Sequence, residues 1–385
     1  MTGGLFEDVT VLDFTQVIAG PFATMQLALQ GAEVIKIERP GGGDMMRSIG
    51  AAPPFSDVGT SVGFIAFNLS KRSLTLDLKS EAAHEILAPL IDRADVIVES
   101  FRPGVMAGLG LDVETIRRRR PDIVYCSISG YGQTGPKAAM PAFDGAIQAE
   151  SGMMSITGYA DGDPLRSGYF AVDVPTGYAA AFAVAGGVLK ARTKGEGSHI
   201  DVAMMDTALS MMSLQASEYL QSGITPARLG NMSSARLPSD NAYVTSDGMI
   251  SVVALSPDQI ATLNKTLGLA GEPTAGDLAA VFASAPTADW VERLSTAGIP
   301  CSVVREMPVA LADAQLNGRA ILDKPPAPPS LAETPLTVIG QPFTLKPAPP
   351  ESRAAPELGQ HTDEILSEVG FSNDRIEAWR KAGVV

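Results

Sequence analysis

The residue types that most directly signal chemistry are scarce in this chain. Among 385 residues there are two cysteines, three histidines and two tryptophans. Cys126 and Cys301 stand far apart, so they form neither a disulfide framework nor a CxxC motif; both are expected to be buried small residues. His84, His199 and His361 are scattered without zinc-ligand spacing, so no metal site is expected. The longest apolar run, Val174–Leu189, contains Pro, Gly and Thr and is shorter than the ~20 residues of a membrane span; its alanines and glycines suit a tightly packed interior helix. A cationic excess is also missing: 29 Lys and Arg face 43 Asp and Glu, for a net charge of −14. That balance argues against nucleic acid or an anionic membrane as the main partner. The opening MTGGLFEDVTVLDF lacks a basic stretch followed by an apolar one, so the expected location is the cytoplasm.

What is present describes a globular protein of more than one domain. Apolar residues make up 45%, as in ordinary folded chains, and the length predicts two or three domains. Asp8–Phe14 (DVTVLDF) predicts a buried strand, Phe22–Leu29 a helix, Gly31 its stop, and Glu33–Ile37 a second strand. Together they form a βαβ unit. The pattern continues with strands at Leu74–Leu78, Val96–Glu99, Ile123–Ile128 and His199–Met204. Helices are expected at Glu81–Arg93, at Val113–Arg119 and after Asp173. Such alternation predicts a parallel sheet covered by helices, hence an α/β fold with a large Rossmann-like domain.

Composition shifts near Gln221 toward Ser, Asn and turn residues, which places a smaller α+β domain at residues 221–323. A hairpin is expected around Ser246–Gly248, with helices at Pro257–Thr266 and Thr287–Gly298. Residues 324–356 hold ten of the 28 prolines and predict extended backbone. This stretch and two short C-terminal helices would return the chain to the large domain of residues 1–220.

One carboxylate stands out. Asp173 lies in PLRSGYFAVDVPTGYAAAFAVAGG, where a polar stretch gives way to a small-residue apolar helix. Asp is a favoured N-cap, which is the simplest account of it. The same helix end would also favour an ionised carboxylate serving as a nucleophile. Glycine-rich turns occur at Pro40–Asp44 and Gly130–Pro136. Neither is a Walker loop, and no GxGxxG opens the first helix, so nucleotide hydrolysis and dinucleotide binding are not supported. Arg39, Lys71, Arg72 and Arg102 fall near predicted strand ends, where ligands of open α/β sheets collect.

In order along the chain, DFTQVIAGPFATMQLALQGAEVIKIERPGGGD, FNLSKRSLTLDLKS, VIVESFRPG, ISGYGQTGP, FDGAIQAESGMMSITG, the Asp173 block, AGIPCSVV and LGQHTDEILSEVG resemble the family III CoA-transferases. The resemblance spans nearly the whole sequence and is weakest over residues 223–283. It implies that Asp173 is the catalytic aspartate, passing CoA from an acyl-CoA to an acceptor carboxylic acid through anhydride and aspartyl-CoA intermediates. It further implies CoA contacts at Gln16, Val17, Ala19, Arg39, Lys71, Phe101 and Arg102, and substrate-facing positions at Phe143, Asp144, Gly132 and Gly135. Coenzyme A would be a substrate, with no permanently bound cofactor, and two chains would form an interlocked homodimer.

Gly108 stands where some formyl-CoA transferases carry arginine, and no glycine-rich lid precedes Asp247, which points away from formate or oxalate. The rival activity is that of an α-methylacyl-CoA racemase, which shares the fold. Its histidine is replaced here by Phe143, so one proton acceptor of suitable pKa would be lacking. A non-catalytic acyl-CoA-binding homologue is the third reading.

Overall fold

A computed structural model describes residues 4–319 and 321–385. The chain divides into two compact units. One comprises Met1–Gln148, Tyr169–Met211 and Asn317–Val385, the other Ala149–Gly168 and Met212–Leu316. The proline-rich return segment therefore belongs to the first unit. The second unit begins nine positions before the compositional shift at Gln221 and takes in residues 149–168, a strip that no change in composition marks.

The first unit is built on six parallel strands: β1 (Thr10–Phe14), β2 (Glu33–Glu38), β3 (Arg72–Thr75), β4 (Val96–Glu99), β5 (Val124–Ser129) and β6 (Ser198–Ala203). Their order across the sheet is β3-β2-β1-β4-β5-β6. The chain runs outward in one direction from β1 through β2 to β3, then crosses back to β4 and runs the other way. The crevice beyond the carboxyl ends of β1 and β4 is thus the switch point at which open α/β sheets bind ligands.

Alternation along the strands divides the core between the two faces of the sheet. Leu12, Phe14, Ile35, Ile37, Leu74, Ile97 and Tyr125 pack with the helices Ala83–Arg93 and Val113–Arg119 and with Ile365, Leu366, Ile376 and Trp379 from the two C-terminal helices. On the other face Val11, Val34, Val96, Val98, Val124 and Cys126 meet Ala19, Ala23 and Leu27 of the helix Ala19–Ala28 and Ala180, Val184 and Val188 of the helix Asp173–Lys194. Small residues on this second face let the backbones close up. A Cβ at Gly177 would stand 2.7 Å from the Ala19 carbonyl oxygen, a distance real side chains do not tolerate.

Two expectations need correcting. The Asp173–Lys194 helix is not interior on all sides, because Tyr178, Phe182 and Leu189 face outward, with Phe182 83% exposed. An apolar run of small residues does not by itself reveal which turns of a helix are covered. Cys126 is buried as expected, but Cys301 is only half-buried. In the second unit β7 (Asp240–Val244), β8 (Met249–Val253) and β9 (Cys301–Val303) form an antiparallel sheet. Its core holds Ile250, Val252, Leu263, Phe282 and Trp290. The turn between β7 and β8 is tied by the Asp247 carboxylate, which accepts the Thr287 N–H at 2.7 Å.

Candidate active site

A cavity of about 290 Å³ opens at the switch point. Gln16–Gly20 after β1, Ser100–Pro103 after β4, and Ile128, Ser129 and Gly130 at the end of β5 line it, with Phe143, Asp173 and Met204. Of the positions singled out in the sequence, Gln16, Val17, Ala19, Phe101, Arg102, Phe143 and Asp173 are brought together here. They come from four separated segments.

Asp173 is the first residue of its helix and is 9% exposed. The N-cap position belongs to Val172, whose side chain offers no cap. The cap comes from elsewhere in the chain: Asp144 Oδ2 accepts the backbone N–H of Val172 at 2.9 Å and of Asp173 at 3.1 Å. Asp144 is buried and does not line the cavity. The local preference of Asp for helix starts is therefore satisfied by Asp144, and the Asp173 carboxylate lies at the cavity beside the positive end of the helix dipole. Asp144→Ala should cost about 1–2 kcal/mol of stability in urea unfolding, as for other lost caps. Asp144→Asn, which retains an acceptor oxygen, should cost less.

The cavity wall is tightly built. A Cβ at Gly130 would come within 2.2 Å of the Ala142 side chain, so only glycine lets the end of β5 approach that loop. Ser129 Oγ is buried there with no hydrogen-bond partner among the described residues, a cost that a ligand acceptor would remove. Sequence reading missed this hydroxyl, since a serine at a strand end carries no distinguishing pattern. Glu99 at the end of β4 is also buried; it accepts the Phe101 N–H at 2.9 Å and so fixes the start of the second cavity loop. Burial pushes its carboxyl up to about 7 against the pull of the Ser127 hydroxyl and the Phe101 N–H, with the Asp201 charge adding to the rise.

The remaining expected contacts lie elsewhere. Lys71 is fully buried, and its ammonium is consumed by Asp13 Oδ2 (2.9 Å), the Pro21 carbonyl (2.9 Å) and Asn68 Oδ1 (2.8 Å). Asp13 requires this partner, because an unpaired carboxylate in the core is expensive. Arg39 is exposed beyond β2, its guanidinium lying over Gly42. Gly132 sits with positive φ beside the Asp201 carboxylate, which accepts the Gln133 N–H at 2.9 Å, and Gly135 has open space around it. Neither glycine lines the cavity.

Residues 6–362 match the family described as CoA-transferase family III. The chain belongs to that family. Human succinyl-CoA:glutarate CoA-transferase is 35% identical to this transferase over 98% of this chain and 89% of its own length. The succinyl-CoA:mesaconate CoA-transferase of Haloarcula hispanica is 34% identical over 97% and 99%. The crystal structure of a CAIB/BAIF family protein from Brucella suis superposes with a TM-score of 0.83 at 27% identity, covering 95% of the transferase and all of that chain. Among its described residues, no helix of the transferase is long and apolar enough to cross a membrane.

Proposed function

We propose that the cavity receives the thioester end of an acyl-CoA and that the Asp173 carboxylate carries the group between donor and acceptor. An Asp173 oxygen attacks the thioester carbonyl and expels CoA thiolate, leaving a mixed anhydride. The thiolate then attacks the Asp173 side of the anhydride, releasing the donor acid and forming an aspartyl-CoA thioester. The acceptor carboxylate attacks that thioester and expels the thiolate again. Attack of the thiolate on the acceptor carbonyl forms the new acyl-CoA and restores Asp173. No proton or external oxidant is consumed, and each step exchanges one acyl bond for another.

The observation that carries this reading is the placement of Asp173 in a crevice at the sheet's switch point, on a helix end whose cap is supplied by a different residue. The relatives named for succinyl-CoA with glutarate or mesaconate support succinyl-CoA as donor and a dicarboxylic acid as acceptor. Incubation with succinyl-CoA followed by hydroxylamine should convert Asp173 to a hydroxamate detectable by mass spectrometry. The absence of label at Asp173 across a broad acyl-CoA panel would end the covalent reading and favour a non-catalytic acyl-CoA-binding role.

We further propose that the transferase is a homodimer, with the outward face of the Asp173–Lys194 helix covered by the second chain. Tyr178, Phe182 at 83% and Leu189 at 65% exposure form an apolar stripe along one side of that helix, a surface suited to a protein–protein contact. Light scattering should give twice the chain mass for the wild type, and Phe182→Asp should shift it toward monomer. A monomeric wild type would rule out the dimer.

A further inference from the structure

Val17, on the cavity wall, has φ of 71°. A β-branched residue in the left-handed region is a genuine outlier that only over-determining surroundings can hold there. The surrounding structure shows what holds it. Asp44 Oδ1 accepts the Val17 N–H at 3.0 Å and the Met46 N–H at 2.9 Å. The second acceptance caps the short turn Met45–Arg47, and Met45 is itself part of the cavity lining. One carboxylate thus joins two walls of the cavity.

The residues around it are fixed as firmly. Asp44 is 1% exposed, and its N–H donates to Glu38 Oε2 at 2.9 Å. Its other oxygen lies 2.9 Å from Lys36 Nζ, which also donates to the Thr15 carbonyl at 2.8 Å. Thr15 N–H donates to Asp13 Oδ1 at 2.9 Å, and Gln16 N–H to Ser100 Oγ at 3.1 Å. Three consecutive residues entering the first helix are therefore pinned by side chains from other segments. Strain of this kind persists only where its surroundings over-determine it, and it collects at ligand clamps.

We propose that Asp44 is a positioning residue for the transfer reaction: by accepting the Val17 N–H it keeps Val17 left-handed and so holds the Gln16–Gly20 wall in the shape that receives acyl-CoA. This rests on the reading of the cavity as the acyl-CoA site. Without the acceptor, valine relaxes toward negative φ, rotating the adjoining peptides and carrying Gln16 and Ala19 out of place. Glycine holds positive φ at almost no steric cost, so with glycine at position 17 the wall no longer depends on the carboxylate. A purely structural Asp44 would make no such distinction.

The test is a two-by-two set of Asp44→Ala and Val17→Gly variants, with KM for succinyl-CoA and kcat measured in each. With valine at position 17, Asp44→Ala should raise KM about 10-fold, the scale of the released strain, with kcat within about 3-fold. With glycine there, the same change should raise KM only about 2-fold. Equal factors in the two backgrounds, or a loss confined to kcat, overturn the proposal. The crystal structure of Asp44→Ala separates the two readings. Val17 still left-handed refutes the clamp, whereas Val17 relaxed with unchanged KM refutes the cavity as the acyl-CoA site. If Asp44→Ala does not fold, Asp44→Glu takes its place in both backgrounds with the same expected ratios, since it keeps the charge but displaces the acceptor by one methylene.

Discussion

Asp173→Asn should reduce kcat for CoA transfer from succinyl-CoA to a dicarboxylic acid by on the order of 10³-fold or more, the scale seen when a covalent nucleophile is removed. An amide oxygen is too weak a nucleophile to open a thioester, while its size and shape match the carboxylate. The fold should hardly notice. The helix start is capped through backbone N–H groups by Asp144, so replacing the Asp173 side chain removes no cap, and the melting temperature should stay within a few degrees of wild type. The variant should also yield no hydroxamate. Retention of more than a tenth of wild-type kcat, with an intact protein, would sink the covalent route. The contrast with Asp144→Ala is informative, because that change touches stability first and reaches the chemistry only through the position of Asp173.

Lys71→Met should produce the largest loss of stability, about 3–5 kcal/mol in urea unfolding at pH 7, the usual cost of removing one partner of a buried pair. Lys71 and Asp13 are both fully buried and 2.9 Å apart, and Lys36, the register partner of Asp13 on β2, is fully buried beside them. Removing Lys71 leaves Asp13 with less compensating charge. Adding Asp13→Asn to Lys71→Met should recover part of the loss, because the orphaned charge goes with it.

The pair also sets the acid limb of stability. Burial alone would raise the Asp13 carboxyl, but the Lys71 and Lys36 ammonium groups and the Thr15 hydroxyl hold it well below the usual carboxylate range. A depressed folded pKa means that the unfolded state binds more protons as pH falls. The stabilisation is therefore full above about pH 4 and is lost progressively below it. Wild type should weaken steeply in that range, and Lys71→Met should show a shallower slope. Equal slopes in the two proteins would remove Asp13 from this account.

Lys71 also marks where sequence reading stops. In NLSKRS a lysine near a strand end is equally compatible with a phosphate partner or with a carboxylate 58 positions away, and only the fold brings Asp13 to it. Asp144 and Asp173 show the same limit. Both occur before apolar helical stretches, both are favoured at helix starts, and nothing local reveals that one caps the helix of the other. The left-handed backbone of Val17 leaves no trace in the sequence, since that region is not expected of a β-branched residue.

The sequence by itself determined the alternation of strands and helices, because buried strands and amphipathic helices impose their periods on neighbouring residues. It also determined Asp173 as the outstanding carboxylate and the family resemblance, both written in contiguous segments. The tertiary structure alone decided which of the cationic residues near strand ends are buried ion partners, which carboxylate caps and which faces the cavity, and which side of the Asp173 helix is left uncovered. Those outcomes depend on charge pairs, caps and packing between residues tens to hundreds of positions apart, and no local pattern encodes a partner at that distance.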